Sequence, residues 1–252
     1  MMKKIVLSCV VAVMAAGCST GYEVVKVEKE RLLVDSRYDK SLSASLDSMM
    51  VPYTNRVDSL MSPVVGRTKK AMKTERPESD LSNLLADILV WAGDRYGEKP
   101  VLGVYNMGGM RASLNAGDVT YGDILEVAPF ENKICFLTMS GMHLMELFKQ
   151  IASVGGEGVS RGVEMVITKD RQLKSVRLHG KEIVPLADYR VVTIDYLAQG
   201  NDHMEAFKQK RHMNAPRGKE NNSREVIIDY FKTMLKQGKV VDADVEGRIV
   251  VE

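Results

Sequence analysis

The chain has 252 residues, long enough for one large domain or two small ones. Its 45% hydrophobic and 27% charged residues describe a globular protein and exclude a disordered or fibrous one. A net charge of +2 gives no reason to expect nucleic-acid binding, which normally needs a concentrated basic field, so no nucleic-acid partner is expected.

The first residues read as an address label. Lys3 and Lys4 form a positive region, and Ile5 to Ala16 an apolar stretch too short to span a bilayer as a settled helix. Ala15-Ala16-Gly17-Cys18 then resembles the bacterial lipoprotein signal, which implies a signal over residues 1–18, lipidation of Cys18 and a place in the bacterial cell envelope, periplasmic or surface-facing. An ordinary secretory signal is the alternative. Lipid on one cysteine tethers a protein to a membrane without a transmembrane helix. With Cys9 in the signal and Cys18 at its end, Cys135 is left without an internal disulfide partner, and its strand-like setting Lys133-Ile134-Cys135-Phe136-Leu137 predicts a small core residue.

Residues 19–38 form a tether, and one compact domain is expected over 39–252. Leu42, Leu46, Met49, Tyr53, Val57 and Leu60 recur at helical spacing, with the methionines read as core and Pro52 expected to kink or divide the helix. The chain is expected to turn at Gly66. A second helix starts near Ser79, turns Leu81, Leu84, Leu85, Ile88 and Leu89 inward, and ends at Gly97 and Pro100. Val101 to Tyr105 is a buried strand. Thr120 and Asp123 start a short helix that Pro129 stops. Strand Ile134 to Met139 leads to a helix near Ser140, then to a flexible loop at Gly155, Gly156 and Gly158. Val163 to Thr168, Leu173 to Leu178 and Tyr189 to Tyr196 are strands. Ala206 to Ser223 reads as a solvated basic loop, and a last helix from about Ser223 buries Val226, Ile227, Tyr230, Phe231, Met234 and Leu235. The order lacks the alternation of a doubly wound sheet, so the fold class is α+β, with mixed sheets and packed helices.

Three segments carry chemistry. Asn106-Met107-Gly108-Gly109-Met110-Arg111 follows a strand, and its glycines let a backbone approach a ligand and present its amides to an anion. Arg111 adds a fork of donors suited to phosphate or carboxylate. Pro129-Phe130-Glu131-Asn132 offers an aromatic face and an amide, although Phe130 could equally be a lid on the core. Tyr196-Leu197-Ala198-Gln199-Gly200-Asn201-Asp202 ends a strand with a second ring and a carboxylate, which could instead serve its own turn. Together they suit a nucleotide: rings stack on a base, and a carboxylate accepts from sugar hydroxyls.

In this order and with these intervals the segments resemble the C-terminal domain of the 5'-nucleotidase / UDP-sugar hydrolase family. The likeness extends from about Val34 to the C-terminus and includes Pro52-Tyr53, Val57-Asp58 with Met61, Gly117-Asp118-Val119-Thr120 and Tyr189-Arg190. In that family this domain binds the nucleoside part of the substrate, and a separate domain with two metal ions hydrolyses the phosphate ester. The resemblance implies that Arg76 and Arg111 approach the phosphate or sugar, and that Asn106 reaches base or ribose beside Gly108 and Gly109. It further implies that Phe130 and Tyr196 stack, Asn132 assists at the base edge and Asp202 takes the ribose hydroxyls. Two departures are Tyr196 where phenylalanine is usual and the turn Gly200-Asn201-Asp202-His203-Met204 in place of a more glycine-rich one.

The family's metal domain carries Asp-x-His, Gly-Asn-His-Glu/Asp and Gly-His-x-His segments. This chain has His143, His179, His203 and His212, none at ligand spacing with another ligand type. No cofactor is therefore expected in this chain, and divalent metals are expected in a partner metallophosphoesterase made as a separate polypeptide. The expected function is nucleotide or nucleoside recognition within a 5'-nucleotidase, in nucleotide catabolism. A nucleoside-capturing lipoprotein and a degenerate interaction scaffold are the alternatives.

Overall fold

The computed structural model describes residues 23–37 and 44–252. The chain divides into two compact units, Met1–Met50 and Val51–Glu252. In the first, residues 23–37 are exposed and form neither helix nor strand, with a turn in which Asp35 accepts from the Arg37 amide at 3.1 Å. Cys18 and Leu42 lie outside the described residues. No described helix is long and apolar enough to cross a membrane.

Helix α1 (Ala44–Met61) runs unbroken through Pro52. Proline removes one amide donor but leaves the flanking ladder in place, so the expected division does not occur. The apolar stripe is not core: Met49, Tyr53, Val57 and Leu60 are all more than half exposed. Helical spacing reports which residues share a face and not what that face meets.

In the second unit, β1 (Val64–Thr68) pairs antiparallel with β3 (Gly117–Thr120). Gly66 lies within β1 and not at a turn; its lack of a side chain lets the Phe231 ring pack over the strand, since a Cβ there would sit 2.7 Å from that ring. Helix α2 (Asp80–Trp91) starts as expected at Ser79, where Ser79 and Ser82 each accept the other's amide hydrogen. Its five inward leucine and isoleucine side chains are buried against β2 (Leu102–Tyr105). Gly103 permits that approach, since a Cβ would meet the Ala86 carbonyl at 2.5 Å. Thr120 and Asp123 form a second reciprocal cap, starting α3 (Tyr121–Val127) before Pro129.

The central sheet holds, in order, β5 (Gly158–Val159), β2, β8 (Asp188–Ile194), β4 (Ile134–Ser140) and β9 (Arg211–Asn214). Strands β2 and β8 are parallel, and β4 is antiparallel to β8 with Ile134 opposite Ile194. The ends of β2 and β8 and the start of β4 therefore reach the same edge of the sheet. A smaller sheet orders β10 (Ile249–Val251), β6 (Val163–Ile167) and β7 (Leu173–Leu178). Helix α4 (Gly141–Ser153) follows β4, α5 (Asp195–Ala198) follows β8, and α6 (Ser223–Lys236) packs on β1. The whole is the mixed arrangement of helices and sheets expected of the α+β class.

Several local expectations are corrected. Gly158 pairs with Tyr105 in β5 and is not loop. Tyr196 lies in the helical turn α5, just beyond the end of β8 at Ile194. The segment 206–223 contains edge strand β9, and Phe207 and Ser223 are buried. In α6, Tyr230 and Met234 are only partly buried and Leu235 is 41% exposed. Strand β10 had no counterpart among the expected elements. Buried Glu78 pins it, accepting from the amides of Glu246 at 2.8 Å and Ile249 at 3.3 Å. Cys135 is fully buried, and burial pushes its thiol up to about 12, so it stays protonated and inert at neutral pH.

Candidate functional site

The shared sheet edge is where the three chemistry-bearing segments meet. Strand β2, buried along its length, ends at Tyr105, and the chain passes through extended Asn106 into one 3-10 turn, Met107–Gly109. Asn106 is buried and folds back over that turn. A Cβ at Gly109 would lie 2.7 Å from Asn106 Oδ1, so only glycine leaves the amide in place. From the other side Glu157 Oε2 accepts the Met107 amide hydrogen at 2.5 Å, and Glu157 Oε1 accepts from Arg76 Nη2 at 2.5 Å. Burial raises the Glu157 pKa, against the pull of the Met107 amide and Arg76.

The second wall is the loop after α3. Phe130 is half exposed, and the backbone beside it is anchored by the start of α6. Arg224 Nη1 donates to the Pro129 carbonyl at 3.2 Å, and the Ser223 amide donates to the Asn132 carbonyl at 2.7 Å. The third wall is α5 and its following turn. Asp195 Oδ1 accepts from the amides of Tyr196 at 2.9 Å and Lys133 at 3.1 Å, tying this wall to the second. Asp202 and His203 both take positive φ, at +52° and +64°, which turns the Asp202 carboxylate back toward β2. Its Oδ2 accepts from Asn106 Nδ2 at 2.7 Å and its Oδ1 from the Tyr196 hydroxyl at 2.8 Å. That bond to Asp202 raises the Tyr196 pKa.

Asn106, Gly108, Gly109, Phe130, Asn132, Tyr196 and Asp202 line one pocket of about 240 Å³. It falls just under the usual range for drug-sized ligands, about 300–1,000 Å³, and so suits one flat group and its immediate appendage. Its chemistry is two ring faces, two amides, a glycine turn and one carboxylate. Two of the expected site residues do not line it. Arg76 is held by Glu157, and Arg111 is exposed with Nη1 at 3.4 Å from the Gly108 carbonyl.

Glu157 and Arg224 were missed by sequence reasoning. Glu157 follows Gly155-Gly156 in what reads as a flexible loop, and Arg224 sits at the end of a polar stretch; neither has a local signal of its partner. No group of three or more His, Cys, Asp or Glu side chains that could hold a metal ion occurs among the described residues.

The family model of the 5'-nucleotidase C-terminal domain matches residues 64–209, which contain every lining residue of the pocket. That is more than half of the chain. The chain belongs to the 5'-nucleotidase C-terminal domain family.

Protein UshA of Escherichia coli K12 is 26% identical over 160 residues, covering 62% of this chain and 29% of its own length. The trifunctional nucleotide phosphoesterase protein YfkN of Bacillus subtilis is 27% identical over 220 residues, covering 78% of this chain and 14% of its own. Among solved structures, the 5'-nucleotidase precursor from Thermus thermophilus superposes with a TM-score of 0.69 at 26% identity, covering 81% of this chain and 42% of that one. This family member thus spans less than a third of the two curated relatives and under half of the solved one.

Proposed function

We propose that this 5'-nucleotidase C-terminal domain is a nucleotide-recognition module that works with a metallophosphoesterase made as a separate polypeptide. The base lies between Phe130 and Tyr196, Asn132 meets its edge, and Asp202, oriented by Asn106, accepts from the ribose hydroxyls. The partner supplies the divalent metals and the attacking water. The observation that carries this reading is that Phe130 and Tyr196 border the same pocket as the Asp202 carboxylate. Each stacked ring contributes roughly 1–3 kcal/mol, and binding energy from this remote end of the substrate positions the ester for the partner's chemistry.

The test is calorimetry with adenosine, followed by phosphate release from AMP. We expect adenosine to bind, and Phe130→Ala to weaken it by about 1–3 kcal/mol. Phe130 is 48% exposed, so the same substitution leaves the melting temperature nearly unchanged. AMP hydrolysis appears on mixing with the metallophosphoesterase. Heat unaffected by Phe130→Ala favours a scaffold, and metal-dependent phosphate release by the purified chain alone overturns the division of labour. A chain that binds nucleosides and stimulates no phosphatase is a capture protein instead.

The same proposal includes a lipid anchor on Cys18 in the bacterial cell envelope. Lys3-Lys4, the apolar run Ile5 to Ala16 and Ala15-Ala16-Gly17-Cys18 support it, as do the exposed residues 23–37, which form neither helix nor strand and suit a tether. Mass spectrometry of the membrane-fraction protein checks it: an unmodified N-terminus elsewhere than Cys18 rules the anchor out.

A further inference from the structure

Away from the pocket, the basic run of the sequence gathers beside an exposed apolar turn. Between Ala206 and Lys219 the chain carries five lysines and arginines and no acidic residue. Three of them, Lys208, Lys210 and Arg211, line a depression of about 510 Å³ together with His143 and Leu186. Lys210 Nζ donates to the Ala198 carbonyl at 2.8 Å, a neutral acceptor that leaves its charge uncancelled. Lys208 Nζ lies 2.5 Å from Glu205, and Arg211 pairs with Asp188. Both pairs are about half exposed, and such pairs are weak enough to exchange one anion for another. The apolar side of the depression belongs to the turn Val184–Ala187. Leu186 is 84% exposed, and Val184 and Met142, the latter in the first turn of α4, are more than half exposed. The turn is fixed in place. The Gly141 and Met142 amides donate to the carbonyls of Ala187 and Pro185, each at 2.9 Å, and the Val184 amide donates to the Tyr189 hydroxyl at 2.8 Å. A Cβ on Gly141 would lie 2.0 Å from the Val184 carbonyl oxygen, so only glycine lets the turn sit this close. Leu186 is thus held in water beside three cations by an already ordered backbone, and burying it in an apolar phase costs little further entropy.

We propose that this face, the Val184–Ala187 turn with Lys208, Lys210 and Arg211, docks the domain on an anionic phospholipid surface. A soluble anion answers the cations and leaves Leu186 in water; an anionic bilayer answers both. Phosphodiester headgroups take the place of Glu205 and Asp188 on Lys208 and Arg211, while Leu186, Val184 and Met142 enter the boundary of the acyl region. Strand β8 begins at Asp188 beside this face and ends at Ile194 beside the nucleotide pocket, so a docked domain leaves the pocket free for its ligand. The inference goes beyond the lipid anchor proposed above and does not depend on it. An acyl chain on Cys18 brings the chain to a membrane, whereas this face sets which side of the domain lies on it.

The experiment is co-sedimentation with vesicles of phosphatidylcholine alone or with phosphatidylglycerol added. It uses the full chain carrying Cys18→Ser, so that no acyl chain is attached. Partition to the anionic vesicles is expected to exceed that to the neutral ones by about tenfold or more at about 0.15 M salt, and to fall as salt is raised. Leu186→Ser is expected to lower the anionic partition about tenfold, and K208Q/R211Q about twentyfold. All three positions are exposed, so the melting temperature changes little. Every variant keeps the same N-terminal segment, whose own affinity therefore cancels in the comparison with the parent. Equal partition to the two kinds of vesicle overturns the proposal, and so does either variant that binds anionic vesicles as the parent does. Calorimetry with inorganic phosphate tests for a free-anion site: heat that K208Q/R211Q abolishes, in a chain that does not partition to vesicles, overturns docking in favour of a soluble ligand. None of these readings depends on what mass spectrometry finds at Cys18, so the anchor and the docking face stand or fall separately.

Discussion

The Tyr196 hydroxyl donates to Asp202 Oδ1 at 2.8 Å, while Asn106 Nδ2 occupies the other carboxylate oxygen at 2.7 Å. One ring that borders the pocket thus also aims the carboxylate. The Tyr196 hydroxyl fixes one oxygen of the Asp202 carboxylate. Tyr196→Phe keeps the ring face and loses one hydrogen bond, so it is expected to cost about 0.5–1.5 kcal/mol of stability. Tyr196→Ala removes the face and is expected to weaken adenosine by a further 1–3 kcal/mol or so. Denaturant titration and calorimetry separate the two effects. Equal adenosine affinity in both variants would mean that the ring does not touch the ligand.

Gly109 is the position where the smallest substitution should do most to the pocket. An alanine Cβ would press on Asn106 Oδ1 from 2.7 Å, and the backbone on its far side is held by Glu157. The amide has to move, which breaks its bond to Asp202. Gly109→Ala is expected to cost about 1–3 kcal/mol of stability and to reduce adenosine binding at least about tenfold. Gly117→Ala is the control. Its φ of +105° strains any side chain, but a Cβ there meets nothing, and it lies outside the pocket. Comparable loss of binding in both variants would show that Gly109 acts only through stability.

Away from the pocket, Glu98 ties β8 to the edge strand β9. It takes Arg190 Nε at 2.7 Å and Arg190 Nη2 at 2.6 Å, and accepts from Asn214 Nδ2 at 2.9 Å. The Arg190 bonds hold its pKa below the usual carboxylate value. A carboxyl whose folded pKa is depressed contributes stability that is present above the unfolded pKa, about 4.3, and disappears as pH falls through the folded value. Glu98→Gln is therefore expected to cost about 1–3 kcal/mol at pH 7 and much less near pH 3. Urea titrations at the two pH values check this, and an equal penalty at both would exclude the charge as its source.

The sequence by itself determined what depends on neighbours a few residues apart. The reciprocal caps at Ser79–Ser82 and Thr120–Asp123 close within one helical turn, so their residue types alone announce the helix starts. The apolar run from Val101 to Tyr105 announces β2 because a short, continuously apolar segment has to be covered on both faces. The aromatic, amide and carboxylate residues of the three segments were legible for a similar reason, since each lies in or beside a turn that follows or precedes a regular element.

Only the tertiary structure decided which of these residues meet. Phe130 and Tyr196 share a pocket because β8 runs parallel to β2 and antiparallel to β4, a matter of sheet order that no local pattern encodes. The pairing of Arg76 with Glu157 spans 81 residues, and the Arg224 bond that braces Phe130's loop spans 95. The apolar stripe of α1 was read correctly as one helix face and wrongly as core, because periodicity fixes orientation about a helix axis and carries no information about the surface opposite. Contacts of long sequence separation follow from how elements pack, and packing is settled by the whole chain at once.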